Sequence, residues 1–420
     1  MRIKLLIVLL LLTVQVFAQH RIRNFFCKQR SFEKYLYATM PEFKALLDSP
    51  TVYRTQIYFS KITRDENGKV KFTDYHFKKH NLYYYPASCV KLPVIVSAMR
   101  FMNQYDSMFP NFDKINLDCK IEILDSNYCG FKNQITVQNK WTFADYMKRM
   151  LVVSDNICFN PVYDFVRPIA PNFYFKNTCI QQRFNASCNY DDNRKIPDMM
   201  ISNDSQRIQV VHSYYPKLKP KFDSAWATAG KKYLDAKDSL INSPKNFYRS
   251  NFIELKTLHN LLKEYVVQPS PKISKEDFNF LQKYMSIFPS ECRHPAYDPK
   301  EYPDNWGKYL LIGDDTNFHA PSPLERAGVR SDSIRIFNKV GMAYGFLTDC
   351  AYIVDYKNQV EFVVSASVFV DRDGTLNDGK YAYKEIGLPF LGKLGRVLMQ
   401  HELKHKRKSK FAPPKIEYND

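Results

Sequence analysis

Runs of residues typical of β-strands lie near both ends of the chain, and a long stretch without such runs separates them. Near the start, 53–65 and 69–80 flank the turn signal Glu-Asn-Gly at 66–68, which predicts a hairpin. Three further strand-like runs lie at 334–346, 349–359 and 360–371. From about 92 to 330 the pattern is mostly helical pieces and loops. We therefore expect one sheet assembled from distant segments, with a helical subdomain inserted into it.

The first eighteen residues are typical of a secretory signal peptide. Arg2 and Lys4 precede a run of mostly apolar residues, and the small residue Ala18 favours cleavage near Gln19. No later stretch approaches the roughly 18 uninterrupted apolar residues of a membrane span. We therefore expect an exported protein, periplasmic or secreted, with no transmembrane segment after signal removal.

The formal net charge is +18, and the chain holds nine cysteines. Such a charge favours anionic surroundings or an anionic substrate, whereas export and the absence of a compact basic domain argue against nucleic acid as a partner. The cysteines are suited to disulfides in an oxidising compartment, although their odd number leaves at least one unpaired. No pair has the Cys-x-x-Cys spacing of a zinc or redox motif.

A serine and a lysine lie three residues apart where a Tyr- and Pro-rich loop gives way to an apolar run. If a helix begins near Ser88, the amino group of Lys91 lies one turn on, on the same face. The positive end of the helix dipole disfavours a charged lysine there and helps it to act as a base. This spacing suits an activated serine nucleophile, but Ser31 and Lys34 share it, so other motifs must decide.

Two further motifs follow Ser88 in order. Ser154-Asp155-Asn156 comes after the apolar end of a predicted helix, and Lys339-Val340-Gly341 lies in a strand-like run. With Ser88-x-x-Lys91, they resemble the ordered motifs SxxK, SDN and KTG of the penicillin-recognising serine hydrolases, in particular class A β-lactamases. The resemblance covers most of the mature chain. It implies a five-stranded antiparallel sheet flanked by helices, an inserted helical subdomain, and no cofactor or metal.

The resemblance also implies roles for individual residues. Ser88 would attack an amide carbonyl and form an acyl-enzyme, Lys91 would accept its proton, and Ser154 would relay a proton to the leaving nitrogen. Asn156 would hold the substrate, and Asp155 would bond to backbone.

Substrate binding would be completed by the third motif. Lys339 would attract a substrate carboxylate, and Gly341 belongs to the same substrate-binding strand. The backbone N–H groups of Ser88 and Met342 would form an oxyanion hole. A small-molecule partner follows, either a β-lactam or a cell-wall peptide.

The implied domain lies at 19–400, after the signal at 1–18. Its sheet part covers about 31–91 and 331–400, its helical part covers about 92–330, and a basic tail follows at 401–420.

The sequence departs from the family pattern in two places that affect chemistry. Val340 replaces a hydroxyl residue, and no glutamate occurs between Asn156 and Glu254, where the family's deacylating carboxylate would lie. Asp191, Asp192 and Asp198 could replace this carboxylate, but their shorter side chains would have to reach the same water, so a solvated loop face is the favoured interpretation. Slow deacylation would favour a penicillin-binding D,D-peptidase or an esterase. A ligand-binding relative without catalysis is the third interpretation.

Three other signals compete with this interpretation. His401-Glu402-x-x-His405 matches a zinc-protease helix, but its place near a basic tail favours a solvated helix end. Asp371-x-Asp373 resembles the start of a calcium loop, but Ala382 stands at its twelfth position, so we expect a turn. Cys89 is expected to be a packed, inert thiol.

Overall fold

A computed structural model describes residues 29–78, 82–108, 114–124, 141–167, 169–184, 195–210, 213–214, 218–314, 333–405 and 409–414. Five antiparallel strands form its main sheet, in the order β3-β4-β5-β1-β2. Their bounds are β1 Gln56–Arg64, β2 Val70–Phe77, β3 Ile334–Ala343, β4 Phe346–Asp355 and β5 Val360–Phe369. The predicted five-stranded antiparallel sheet is therefore confirmed, including its assembly from both ends of the chain.

The strand ends follow from local turn chemistry. In the predicted hairpin, the carboxylate of Asp65 accepts hydrogen bonds from the backbone N–H groups of Asn67 and Lys69, and Gly68 has a φ of +81°. Between β4 and β5, Gln359 adopts a left-handed φ of +56° at the end of the four-residue turn. Both turns bring neighbouring strands into antiparallel register.

The main helices are α1 over 29–39, α2 Lys91–Met108, α3 Phe143–Val152, α4 Phe159–Val166, α5 Leu255–Tyr265, α6 Lys275–Ser286 and α7 Leu388–Lys404. Capping boxes start α3 at Thr142 and α6 at Ser274, where each cap hydroxyl accepts from the N–H of an aspartate three residues on. Shorter helical turns are Pro41–Phe43, Lys44–Asp48, Pro50–Tyr53, Ala87–Val90, Ile169–Tyr174, Pro289–Glu291, Tyr309–Ile312 and Tyr383–Gly387.

Apolar side chains on both faces of the sheet build two cores. Along β4, Leu347 and Ile353 join a core with the terminal helices α1 and α7, whereas Phe346 and Tyr352 join a second core with α2, α3 and α4. This division follows because successive side chains of a strand point to opposite faces. The sheet is thus the middle layer between the terminal helices and the inner helices.

Short strands between Cys119 and Leu376 were not predicted. Lys120–Ile123, Met199–Ser202 and Arg207–Val210 form a small sheet of three strands. The other short strands are Thr178–Cys179, Lys195–Ile196, Ser213–Tyr214, Thr228–Ala229, Lys232–Leu234, Leu240–Ile241, Lys245–Asn246, Phe252–Ile253 and Thr375–Leu376. The expectation that 92–330 contains mostly helices and loops was therefore incomplete.

The signal-peptide prediction lies outside the described residues. None of the described helices is long and apolar enough to cross a membrane. The expectation of disulfides is wrong for four cysteines in the described ranges, Cys89, Cys158, Cys179 and Cys350, which are buried and free. Cys119 and Cys292 are also buried, whereas Cys27, Cys129 and Cys188 lie outside the described residues.

Candidate active site at the start of helix α2

Ser88 lies in a tight helical turn, Ala87–Val90, that leads directly into α2. The N–H of Cys89 donates to the carbonyl of Pro86 at 3.0 Å and closes this turn. Ala87 has a left-handed φ of +43°. The apolar residues that follow are fully buried, as the sequence predicted: Val90, Leu92, Val94, Ile95, Val96 and Met99. The serine is therefore held half-buried at the head of a rigid helix.

The amino group of Lys91 contacts oxygens of three residues. It lies 2.5 Å from the carbonyl of Ser154, 2.6 Å from Oδ1 of Asn156, 2.9 Å from Oγ of Ser88 and 3.2 Å from Oγ of Ser154. The two shortest contacts are to oxygens that can only accept, so both take N–H bonds from the lysine. A neutral amine has two such bonds and one lone pair, which is then left for a hydroxyl. This geometry can receive the proton of Ser88.

Burial determines the charge of Lys91. The side chain is fully buried, and this desolvation lowers the pKa of Lys91 well below its usual value. The positive charge of Lys339 lowers the pKa further, whereas Asp155 opposes this shift. The ring of Phe184 lies beside the amine, with its centroid 4.8 Å from Nζ. These conditions favour the neutral amine that a general base requires.

The loop between α3 and α4 presents Ser154 and Asn156. Ser154 has a left-handed φ of +61°, a conformation that a non-glycine residue adopts only when its surroundings enforce it. Oδ1 of Asp155 accepts from the N–H groups of Ile157 and Cys158 at 2.7 and 3.2 Å, which matches the predicted backbone role of Asp155. These hydrogen bonds within the loop hold Ser154 and Asn156 in position.

Strand β3 supplies the second lysine. The amino group of Lys339 donates to Oγ of Ser154 at 2.8 Å and to the carbonyl of Val340 at 3.2 Å. Burial lowers the pKa of Lys339 to about 8. Ser154 therefore lies between two buried amines, those of Lys91 and Lys339.

Gly341 permits β3 to approach the turn that carries Ser88. A Cβ at this position would lie 2.1 Å from the carbonyl oxygen of Pro86. The next residue, Met342, is 45% exposed at the strand end, whereas Val340 is only 5% exposed. The end of β3 thus runs beside the turn that carries Ser88.

Two residues of the site gave no signal in the sequence. The backbone N–H of Phe184 donates to Oδ1 of Asn160 on α4 at 2.9 Å, and the side-chain amide of Asn160 donates to the carbonyl of Phe184 at 3.0 Å. These two hydrogen bonds hold the ring of Phe184 near Lys91. The indole N–H of Trp306 donates to the carbonyl of Val153 at 3.1 Å, just before Ser154. Both residues lie in irregular segments far from the motifs in sequence, so only the folded chain reveals them.

Of the three aspartates that could replace the family's glutamate, only Asp198 lies among the described residues. Asp191 and Asp192 lie outside the described residues. Asp198 lies between two short strands, and its backbone carbonyl accepts from the N–H of Leu124 at 2.9 Å.

The competing motifs have structural explanations. Ser31 and Lys34 are exposed on α1. The chain has a second Lys-x-Gly sequence, Lys393 to Gly395 on α7, and there Lys393 forms an ion pair with Glu42 of the turn Pro41–Phe43. The expectation of a solvated end at His401 to His405 is wrong for Glu402, which is 1% exposed. Glu402 contacts Lys61 of β1 at 3.5 Å, because this end of α7 packs on the sheet.

The calcium-loop motif at Asp371 and the thiol of Cys89 also have structural explanations. Asp371 to Gly374 form the expected turn after β5, and Cys89 is fully buried, with its thiol 3.5 Å from the carbonyl of Lys339. Among the described residues, no group of three or more His, Cys, Asp or Glu side chains is arranged to hold a metal ion.

A scan of the sequence against family models and a search of curated proteins found no match. Similar folds occur among solved structures. A β-lactamase from Streptosporangium roseum is 12% identical, with 86% of this chain and 99% of that chain covered and a TM-score of 0.45. A class A β-lactamase from Clostridium kluyveri is 11% identical, with 86% and 98% covered and a TM-score of 0.44.

Proposed function

We propose that the protein is an exported serine hydrolase that opens β-lactam or related amide bonds through an acyl-enzyme on Ser88. The observation that carries this proposal is the contact of 2.9 Å between Nζ of Lys91 and Oγ of Ser88. Because the two closest partners of Lys91, the carbonyl of Ser154 and Oδ1 of Asn156, are pure acceptors, the lone pair of its neutral amine is available to the serine hydroxyl.

Acylation of Ser88 would move one proton from the serine to the leaving nitrogen. As Oγ of Ser88 bonds to the amide carbon, its proton passes to Lys91. The oxyanion accepts hydrogen bonds from the backbone N–H groups of Ser88 and Met342. The C–N bond then breaks as Ser154 gives its proton to the leaving nitrogen and takes the proton that Lys91 received, across their contact of 3.2 Å. Water later releases the acyl group, and this step requires a base.

Binding of substrate is the role proposed for the remaining polar groups. The positive charge of Lys339 attracts a substrate carboxylate and orients Ser154 through their contact of 2.8 Å. Asn156 holds Lys91 and offers its amide N–H group to a substrate. Gly341 keeps β3 close enough for its backbone to pair with an extended ligand. The partner is a small molecule, a β-lactam or a cell-wall peptide, and no cofactor takes part.

A penicillin-binding D,D-peptidase or an esterase is the second candidate. It is favoured because the chain has no glutamate between Asn156 and Glu254, and because the carboxylate of Asp155 already accepts two backbone N–H groups. Acylation would then be normal and deacylation slow. A ligand-binding relative without catalysis is a third candidate, motivated by Val340.

Intact-protein mass spectrometry after mixing with benzylpenicillin distinguishes these candidates. We expect an adduct on the unaltered protein and none on Ser88→Ala. Ser31→Ala is the matched control, because Ser31 precedes Lys34 with the same spacing but is exposed. An adduct that decays while product accumulates supports a β-lactamase, and one that persists supports a slow peptidase. Equal labelling of Ser88→Ala, or no labelling at all, would contradict acylation at Ser88.

A further inference from the structure

A turn at 303–308 is fixed to the edge of the main sheet beside the candidate active site. β3 is the first strand in the order of this sheet. The side-chain amide of Asn338 on β3 donates to the carbonyl of Gly307 at 2.7 Å, and the amino group of Lys308 donates to the carbonyl of Ile336 at 2.7 Å. These contacts hold the turn against the strand that supplies the second lysine of the site.

Trp306 of this turn extends to the loop that presents Ser154. Its indole N–H donates to the carbonyl of Val153 at 3.1 Å, and Val153 directly precedes Ser154. The ring of Tyr302 meets the indole edge-on, with centroids 5.2 Å apart. Although these contacts fix the indole, Trp306 remains 40% exposed. Because β3 and the loop of Ser154 are two walls of the site, an aromatic ring that is open to a ligand lies where they meet.

The surface of β3 next to this turn is also apolar. A Cβ at Gly307 would lie 3.7 Å from Cγ2 of Val340, so the turn lies directly against that side chain. Two residues further along β3, Met342 is 45% exposed. A ligand that extends from Ser154 toward the turn therefore meets apolar side chains, and these gain from being removed from water.

The position of Trp306 relative to Ser154 determines which part of a substrate the indole would contact. In the proposed acylation, on which this inference rests, Ser154 gives its proton to the leaving nitrogen. The leaving group therefore lies on the side of Ser154, next to the indole. Lys339, whose amino group lies 2.8 Å from Oγ of Ser154, can attract a carboxylate of the same leaving group. A cation and an aromatic ring thus lie together beside the leaving group.

We propose that Trp306 forms the wall of a leaving-group pocket and selects substrates whose leaving group carries a large apolar side chain next to its carboxylate. Such a side chain removes the exposed indole surface from water and packs against the ring in an offset or edge-on arrangement. The methyl group of a C-terminal alanine would leave most of the indole uncovered. The substrate class is therefore a peptide or ester with an aromatic or bulky aliphatic terminal residue.

Binding of two dipeptides to the Ser88→Ala variant of the full mature chain tests this inference without any reaction. N-acetyl-D-alanyl-D-phenylalanine and N-acetyl-D-alanyl-D-alanine differ only by a phenyl ring on the terminal residue. In NMR titrations we expect the phenylalanine peptide to bind about tenfold more tightly. Adding Trp306→Ala should remove this preference and leave the affinity for the alanine peptide nearly unchanged.

Two further variants in the same background separate the ring from its hydrogen bond. Trp306→Phe keeps an aromatic ring but loses the N–H that binds Val153, so it should retain most of the preference. Phe173→Ala is the matched control, because Phe173 is an aromatic residue that is 81% exposed on the helical turn Ile169–Tyr174, and it should retain the full preference.

Fluorescence gives a second measure that does not require the alanine variant at Trp306. The chain has three tryptophans. The phenylalanine peptide should change the tryptophan emission of Ser88→Ala, and Trp306→Phe should abolish this change.

The inference is overturned if neither peptide binds, if both bind with equal affinity, or if Trp306→Ala keeps the preference. It is also overturned if Trp306→Phe loses the preference as completely as Trp306→Ala, because the hydrogen bond to Val153 would then be the cause. The proposed hydrolase activity is judged separately, by the adduct of the unaltered protein with benzylpenicillin. Absence of that adduct would contradict acylation at Ser88 and would not alter the measured ratio of peptide affinities.

Discussion

The amino group of Lys339 donates to Oγ of Ser154 at 2.8 Å, and the same oxygen lies 3.2 Å from the amino group of Lys91. One hydroxyl therefore connects two buried lysines. Desolvation and the neighbouring charge of Lys339 both keep Lys91 toward its neutral form. Burial therefore favours a neutral Lys91, whereas Lys339, with a pKa of about 8, retains its positive charge at neutral pH.

The first prediction concerns pH and Lys339→Met. In the unaltered protein the acylation rate should rise with pH as Lys91 loses its proton, and fall above about pH 8 as Lys339 does. In Lys339→Met the fall should disappear, and the rise should move to higher pH because the charge that lowers the pKa of Lys91 is gone. The rate itself should drop about 100-fold.

Second-order acylation by benzylpenicillin between pH 5 and pH 10 checks this prediction. Lys393→Met is the control, because Lys393 belongs to the second Lys-x-Gly sequence and lies on α7 in an ion pair with Glu42. A profile in Lys339→Met with the same shape as in the unaltered protein would show that Lys339 does not control Lys91.

The second prediction separates the backbone of Ser154 from its hydroxyl. Ser154→Gly and Ser154→Ala both remove the hydroxyl, so both should acylate about 100-fold more slowly. Only glycine adopts a φ of +61° without strain, so Ser154→Gly should be about 1 kcal/mol more stable than Ser154→Ala. Urea denaturation measures the difference, and equal stabilities would show that the left-handed backbone costs nothing here.

The third prediction concerns the close approach of β3 to the turn of Ser88. Gly341→Ala places a Cβ 2.1 Å from the carbonyl oxygen of Pro86, so the strand must move away. We expect a loss of about 1 to 3 kcal/mol in the free energy of unfolding and a slower acylation of Ser88.

Gly68→Ala is the control for this substitution. Gly68 has a φ of +81° in the β1–β2 turn, with no atom within 4 Å of an added Cβ. It should cost about 1 kcal/mol through backbone strain and leave acylation unchanged. If Gly341→Ala behaves like Gly68→Ala, the contact with Pro86 does not position the nucleophile.

The strands of the main sheet could be predicted because each carries its own local signal. The hairpin follows from alternating residues around Asn67 and Gly68, and β3 to β5 follow from long runs of apolar and β-branched residues. The order of the motifs at Ser88, Ser154 and Lys339 could also be read directly. These features depend only on residues that are close together in the sequence, so the sequence of one protein is sufficient to predict them.

Other features depend on contacts between distant segments, and the sequence gives no sign of them. Phe184 reaches Lys91, and Trp306 reaches Val153, only after the loops have folded over the site. The burial of Glu402 likewise requires α7 to pack on β1. Strands of two residues, such as Thr178–Cys179, are too short to show any alternation.

A buried histidine leads to the last prediction. Nε2 of His259 lies 2.7 Å from Oγ of Ser60, and Nδ1 lies 3.0 Å from Oγ of Ser365. Because Ser60 donates its proton to Asp74 at 2.5 Å, it accepts from Nε2–H, and Nδ1 of the neutral ring accepts from Ser365. Burial, reinforced by Lys263 and opposed by Asp74, lowers the pKa of His259 to about 3.

This shift makes stability depend on pH in a definite direction. Between pH 6.5 and about pH 3 the unfolded chain binds a proton at His259 and the folded chain does not, so stability falls as the pH falls through this window. From pH 7 to pH 5 the unaltered protein should lose about 2 kcal/mol through this group. His259→Leu should be less stable at pH 7, because Ser60 and Ser365 lose a partner, but its stability should change less between the two pH values. Urea denaturation at pH 5 and pH 7 measures both effects, and an unchanged pH dependence in His259→Leu would mean that other groups cause it.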